Sequence, residues 1–413
     1  MAAAGNIASE PSLPASLAER VLAEIHEDEV IGFLQGLVKI PSVNPPGDVR
    51  EAIDYCIKTL EAAGFACRKV ERDPIKPNLI AEFGDVDGPV LCFNAHVDVV
   101  PTGEASAWHQ KPFDAARVDG RIYGRGAGDD KASVTAQVMA GVALARSGIP
   151  LGGGLVINEV ADEEVGGVDG AKLIVEERHV APDWVIVGEQ TLNRICIGEK
   201  GGAGQNVTVY GRAAHGALPW EGVNAIEGAA RIIEALKDEL WPELAKRTHE
   251  FFHPSSASIN MIDGGVKANV VADRCSFYID RRLVPGEDPV DVHAEIAAIA
   301  TKAIAGIPGL RVDVSSAPEA RGATMVDPRS RLVRSMLVAN KHLELSMDLT
   351  GFSMASDGRF FAAHGVPTII YGPGDPKLAH IPDEWVGVDE VMEATRAYAL
   401  AAVVLLAEAA QGA

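Results

Sequence analysis

Four short runs of this chain are apolar almost without interruption: NLIAEF (78–83), VLCFNA (90–95), LVINEV (155–160) and WVIVGE (184–189). None alternates apolar with polar residues, so each reads as a strand covered on both faces. The segments between them supply the covering helices. KASVTAQVMAGVALARSG (131–148) and DGAKLIVEER (169–178) repeat apolar residues at helical spacing, and a further helix is expected near 50–63. SLAERVLAEIHEDEVIGFLQGLVKI (16–40) has the same periodicity and reads as a helix with Ser16 as its N-cap. PSVNPPGD (41–48) interrupts the pattern and must be a loop. The alternation predicts an α/β fold: a mixed, mostly parallel sheet with helices on both faces.

Residues 200–316 follow another rule. QNVTVYG (205–211), ASINMID (257–263) and CSFYIDRR (275–282) alternate as half-buried strands do, around helical stretches near 222–239 and 289–306. The order strand–helix–strand–strand–helix–strand is ferredoxin-like, and the segment reads as an inserted α+β domain. Afterwards the first pattern resumes, with a helix near 327–343, a strand at GVPTIIYG (365–372) and a helix near 388–409. The expected organisation is therefore a loose tail (1–15), one domain from 16–199 and 317–413, and the insertion at 200–316. A chain of 413 residues, 47% of them hydrophobic, is long enough for two cores.

The formal net charge of −21 disfavours nucleic acid and anionic membrane surfaces as partners. No apolar run approaches the roughly 18–20 residues that span a bilayer. The amino terminus lacks the basic start and apolar block of a secretory signal. The five cysteines (56, 67, 92, 196 and 275) are widely spaced, with no CxxC pair. That argues against a disulfide framework and a thiolate metal site, and for a reducing cytoplasm.

Chemistry-bearing residues collect at the ends of the apolar strands, where open α/β sheets build their sites. VLCFNA runs into His96-Val97-Asp98, where Asp98 falls on the same side and can orient the imidazole of His96. On its own a His-x-Asp pair is more often a surface pair. YGRGAGDD (123–130) places Asp129 at the start of a helix, either as an ordinary cap or as a cation ligand. Asp162-Glu163-Glu164 follows LVINEV. Three adjacent carboxylates are tolerated on a wet loop or when a metal neutralises them, and Glu163 and Glu164 can divide the roles of base and ligand. Glu189 ends another buried strand, and His380 lies in the Pro-containing loop PKLAHIPDE. Together, His96, Asp129, Glu164, Glu189 and His380 make two histidines and three carboxylates. That set suits two zinc-like ions with one carboxylate bridging.

These residues lie in segments that recur in order along nearly the whole chain: HVDVVP (96–101), DGRIYGRGAGDDK (119–131), DEEVGG (162–167), GEQT (188–191), GRAAHGALPWEGVNAI (211–226), GGVKANVV (264–271), SDGRF (356–360) and AHIPDE (379–384). On them the chain resembles the dinuclear-metal amidohydrolases and exopeptidases that include acetylornithine deacetylase, succinyl-diaminopimelate desuccinylase, aminoacylase-1 and glutamate carboxypeptidase. The resemblance implies that Asp129 bridges the metals, His96 and Glu189 complete one site, and Glu164 and His380 complete the other. It implies Glu163 as general base, Asp98 as orienter of His96, and a cis peptide between Asp129 and Asp130. The insertion would be a lid that also dimerises. His215 would come from the other subunit to polarise the scissile carbonyl, and Asn269 and Arg282 would bind a substrate carboxylate. Arg359 would assist, or else form an ion pair with Asp357. KAS (131–133) departs from the usual Lys-Gly-Gly, and Ala272 stands where a Pro is frequent. Neither change removes a ligand or the base.

The expected activity is hydrolysis of the amide bond of N-acyl amino acids with two divalent ions, zinc first and cobalt or manganese as alternatives. An exopeptidase of carboxypeptidase or dipeptidase type, or an amidase on another small C–N substrate, would use the same residues. A scaffold that binds metal without catalysis is disfavoured by Glu163 standing beside a complete ligand set. The expected partners are a small N-acyl amino acid or short peptide and a second copy of the chain, with neither nucleic acid nor membrane.

Overall fold

The computed structural model describes residues 11–407. The first ten residues of the expected tail lie outside them, and so do the last residues of the expected 388–409 helix. The chain divides into two compact units. One comprises the residues up to Gly198, Val326–Thr350 and the chain from Ser356 onward; the other is Glu199–Met325 with Gly351–Ala355.

The first unit is built on an eight-stranded sheet. Its order is Ala66–Val70, Asn78–Gly84, Gly154–Val160, Val90–His96, Trp184–Val187, Thr368–Ile370, Ile195–Glu199 and Leu349–Phe352. Val90–His96 runs parallel to both Gly154–Val160 and Trp184–Val187, and all seven of its residues are buried. Asn78–Gly84 and the edge strand Ala66–Val70 are antiparallel. The mixed α/β sheet is the one expected. The helix Lys131–Ser147 packs on Val90–His96 and on the helix Val388–Ala402. It is buried on nearly every side, including Lys131, Thr135 and Gln137, which is why its sequence has no polar face.

Local details differ from the sequence reading. Residues 16–40 form two helices, Ala15–Leu22 and Glu27–Val38, because His26 is extended and Glu27, Asp28 and Glu29 begin a fresh first turn. Ser16 is not the N-cap. Pro14 holds that position without a side-chain bond, and Ser16 lies inside the first turn. The carboxy-terminal helix passes at Val403 into a wider π-type turn that reaches Ala407. No helix among the described residues is long and apolar enough to cross a membrane.

The second unit carries an antiparallel sheet ordered Ser256–Gly264, Arg274–Leu283, Gln205–Tyr210, Arg311–Ser316. Helices Ala225–Ala235 and Pro289–Ile304 contribute to its core, where Ala229, Ile232, Ile296 and Ala300 cluster with Val207, Val209, Phe277 and Ile279. Burial alternates residue by residue along Arg274–Leu283. The unit extends past the expected limit of 316 to Met325, because Gly202 and Arg321 exchange backbone hydrogen bonds at 3.0 and 2.7 Å. Ser256–Gly264 is an edge strand with Met261 and Ile262 exposed.

Candidate active site

His96 is the last residue of Val90–His96, so the strand fixes where its ring emerges. Its Nδ1 lies 3.0 Å from the backbone carbonyl of Asp98 and donates to it. That sets the tautomer with the lone pair on Nε2. The Asp98 carboxylate is further away, at 3.5 Å from the same nitrogen. Nε2 of His96 faces Oδ1 of Asp129 at 3.1 Å. The other carboxylate oxygen of Asp129, Oδ2, faces Nε2 of His380 at 3.1 Å, and that nitrogen is 3.2 Å from Oε2 of Glu164. Glu189 joins the His96 side. The donor atoms of His96, Asp129 and Glu189 lie within 4.8 Å of one another, and so do those of Asp129, Glu164 and His380. Asp129 belongs to both groups. The peptide between Asp129 and Asp130 is cis.

Local devices place the acidic residues of both groups. Gly188, before Glu189, passes so close to the helix that a Cβ there would lie 2.5 Å from Cβ of Ser133. Glu163 and Glu164 follow Asp162, whose backbone is left-handed (φ +73°). Asp162 is tied to Lys76 at 2.6 Å and accepts from the Asp169 backbone N–H at 3.1 Å. The carboxylate of Asp98 accepts from the backbone N–H groups of both Glu163 and Glu164 at 3.3 Å and from the Asn44 amide at 2.8 Å. The Asp98 carboxylate thus holds the acidic turn, while its backbone carbonyl is the nearer partner of His96.

Electrostatics fit a cation centre. Burial pushes the carboxyl of Glu164 up to about 7, partly offset by its bond to His380, and raises Glu163 and Glu189 as well. Hydrogen bonds from His380 to Asp129 and Glu164 lift that imidazole to about 10. Burial alone would lower His96, but the carboxylates of Asp129 and Asp98 hold it well above the ordinary range. Oε1 of Glu164 is buried with no hydrogen-bond partner among the described residues. Divalent ions would replace the protons for which these groups compete and would occupy that free oxygen, so the donor set fits them.

Of the two alternatives for Arg359, the geometry matches the ion pair with Asp357. Its guanidinium donates to the carbonyls of Ser356 (2.8 Å) and Gly166 (3.0 Å), lies 3.6 Å from Glu163 and 3.9 Å from Asp357. It is turned inward onto the acidic turn rather than out to a ligand. In the second unit, His215 is exposed at a bridge to Val270, and its Nδ1 accepts from the Ala217 N–H at 3.0 Å. The neutral ring then carries its proton on Nε2, as a donor. Asn269 is adjacent and exposed, its carbonyl accepting from Gly216 N–H at 2.8 Å. Arg282 is held in a fork by Asp280, at 2.9 and 3.1 Å.

The sequence reading passed over four residues that brace this centre: Asn44, Lys76, Arg125 and Glu384. Asn44, Arg125 and Glu384 lie in the motifs PSVNPPGD, YGRGAGDD and HIPDE. A buried polar residue inside a loop motif was the available signal.

Two adjoining candidate cation positions built from histidines and carboxylates, with a further carboxylate at Glu163 beside them, are what a metal-dependent hydrolase needs to activate water. The sequence matches the description "Peptidase family M20/M25/M40" over residues 92–403, and the chain belongs to that family. A succinyl-diaminopimelate desuccinylase of Phenylobacterium zucineum is 30% identical over 381 residues, covering 90% of this chain and 97% of the relative. A tripeptidase from Staphylococcus aureus superposes with a TM-score of 0.76 at 21% identity, covering 92% of this chain and 99% of that one. A Bacillus subtilis protein described as a dinuclear metal-binding peptidase of family M20 gives a TM-score of 0.70 at 17% identity, covering 92% and 98%.

Proposed function

We propose that this chain removes the acyl group from an N-acyl amino acid that keeps its free carboxylate, and that it works as a cytoplasmic homodimer loaded with two divalent ions, zinc first. The observation that carries the reading is the division of Asp129, one oxygen toward His96 and the other toward His380. In this reading His96, Asp129 and Glu189 hold one ion and Asp129, Glu164 and His380 hold the other. Bound there, the ions would polarise the amide carbonyl and acidify a water molecule.

The chain's own residues carry the proton. Glu163 takes it from the attacking water and returns it to the departing amine nitrogen, and burial raises its affinity for that proton. Arg359, 3.6 Å away, aims that carboxylate and fixes the turn through Gly166. The Nε2–H of His215 donates to the developing oxyanion. Asn269 and Arg282 receive the substrate carboxylate, Arg282 by a bidentate fork.

The dimer is supported by the geometry of the second unit. Tyr210 pairs with Arg274, and Gly202 pairs with Arg282. Arg274 and Arg282 are eight residues apart, ~26 Å of strand, and His215, bridged to Val270, lies beyond the Arg274 end. An N-acyl amino acid cannot touch both in one lid. Two copies supply them jointly: Arg282 from one, His215 and its neighbour Asn269 from the other. The exposed Trp220, Met261, Ile262 and Val266 offer apolar surface for that contact.

The deacylase reading is favoured by a full-length relative named for desuccinylation. The test is a hydrolysis screen of N-acetyl, N-succinyl and N-aromatic acyl amino acids against dipeptides, with zinc, cobalt and manganese each added. Faster turnover of an N-acyl amino acid is the expected result. Faster turnover of dipeptides would shift the function to an exopeptidase.

A further inference from the structure

The loop that carries His380 also carries Glu384, which is 1% exposed and engaged at both oxygens. Oε1 accepts from the backbone N–H groups of Gly128 (2.9 Å) and Asp129 (3.0 Å). Oε2 accepts from Nη1 of Arg125 at 2.5 Å. The backbone carbonyl of Glu384 accepts from Gly124 N–H at 2.9 Å, and the next residue, Trp385, pairs with Tyr123. The turn 124–129 is therefore tied to Glu384 at both ends, at Gly124 through the backbone carbonyl and at Gly128 and Asp129 through the side chain. Arg125 is equally enclosed and donates to the Pro101 carbonyl at 3.4 Å, with the Trp108 ring 5.3 Å from its guanidinium.

We infer that Glu384 is a positioning residue for the metal pair, setting the backbone from which Asp129 divides its two oxygens. This rests on the reading of Asp129 as the shared ligand. Glu384 bonds the main chain of Asp129 rather than its carboxylate, so it is not itself a ligand. Its effect is nevertheless on both ions at once. The two N–H groups bonded to one oxygen belong to successive peptides, Ala127–Gly128 and Gly128–Asp129, so the oxygen fixes how both are oriented. A rotation there would swing both carboxylate oxygens away from His96 and His380 together. Because His380 sits four residues upstream, one loop supplies a ligand to one position and aligns the ligand common to both. A residue behind the ligands typically changes metal affinity by ~10–100-fold when it is lost.

The alternative is that Glu384 merely neutralises Arg125, since a buried guanidinium without a counter-charge is costly. Arg125→Met and Glu384→Gln both break the ion pair yet keep an oxygen acceptor for the two N–H groups. Glu384→Ala removes that acceptor. The measurement is the rate at which zinc-loaded protein gives up each ion to a chromophoric chelator, together with the visible spectrum of the cobalt-loaded form. Arg125→Met and Glu384→Gln are expected to release zinc within about threefold of the parent rate and to keep its cobalt spectrum. Glu384→Ala is expected to release both ions at least tenfold faster, with an altered spectrum. Parent-like release from Glu384→Ala overturns the inference. So does rapid release from both ion-pair variants, which decides the matter even if Glu384→Ala does not fold. Asp129→Ala separates the two levels: if it holds both ions as the parent does, the reading of Asp129 itself fails. If it loses them while Glu384→Ala keeps them, only the role of Glu384 fails.

Discussion

Asn44 donates its side-chain amide to Oδ2 of Asp98 at 2.8 Å, and the same nitrogen lies 3.4 Å from Oδ1 of Asp162. One neutral side chain thus separates two buried carboxylates that between them hold the turn bearing Glu163 and Glu164. Asn44→Asp, nearly identical in shape, would replace the donor with a third carboxylate. We expect it to cost more than Asn44→Ala, which leaves only an unmade hydrogen bond worth about 1–3 kcal/mol. Thermal melts and zinc titration calorimetry check this. Equal effects of the two variants would mean that the amide does not mediate between the acids.

Glu163→Gln keeps the shape of the side chain and removes its capacity as a base. Turnover should fall by about 10²–10⁴-fold. Zinc stoichiometry should stay at two, because Glu163 belongs to neither ligand group. Atomic absorption on the purified variant, with kcat on any substrate the parent cleaves, tests both halves. Loss of one ion would make Glu163 a ligand.

How much of this centre could be read beforehand depended on the distance along the chain over which each role is set. His96, Asp129, Glu164 and Glu189 were legible because each follows a strong local pattern, a buried strand or a glycine-rich turn. The sheet was legible for the same reason, and the ferredoxin-like insertion from its alternating strands. The braces were not. Asn44 meets Asp98 across 54 residues, Arg359 meets Gly166 across 193, and Glu384 meets Gly128 across 256. No periodicity reports such contacts. The break between Leu22 and Glu27 was missed because the apolar spacing continues through it, while the extended backbone of His26 does not.

The fork between Asp280 and Arg282 bears on affinity. A guanidinium already paired must exchange one carboxylate for another when a substrate arrives. Arg282→Ala should lower kcat/KM for free-carboxylate substrates by roughly ten- to hundredfold, the worth of a charged hydrogen bond. Methyl esters of the same substrates should lose far less. Asp280→Asn should lower KM for the free acids and leave kcat near the parent value. A rise in KM would instead make Asp280 the residue that aims the fork.

The cysteines should be chemically quiet. Burial lifts the Cys67 thiol to about 11, Cys196 to about 12, and Cys56 and Cys92 well above the ordinary range. Because the shift is upward, the thiolate is depleted at every pH below the raised value. At pH 8 Cys67, the half-buried one, would be about one part in a thousand thiolate, against about a quarter for an ordinary cysteine. Native protein should react slowly with iodoacetamide at pH 8 and retain full turnover. Fast modification with loss of activity would assign a thiol to the site.

The cross-subunit role of His215 makes a quantitative prediction. In a mixed dimer of His215→Ala and Glu163→Gln chains, one site combines an intact Glu163 with an intact His215 from its neighbour, and the other site has both defects. Random mixing makes half of all dimers mixed, and each regains one site of two. Activity should therefore rise from near zero to about a quarter of the parent value after the inactive variants are dissociated and reassociated together. If His215 served its own chain, every site would keep one defect and mixing would restore nothing. The two outcomes differ in kind rather than degree, so a steady-state assay before and after reassociation decides between them.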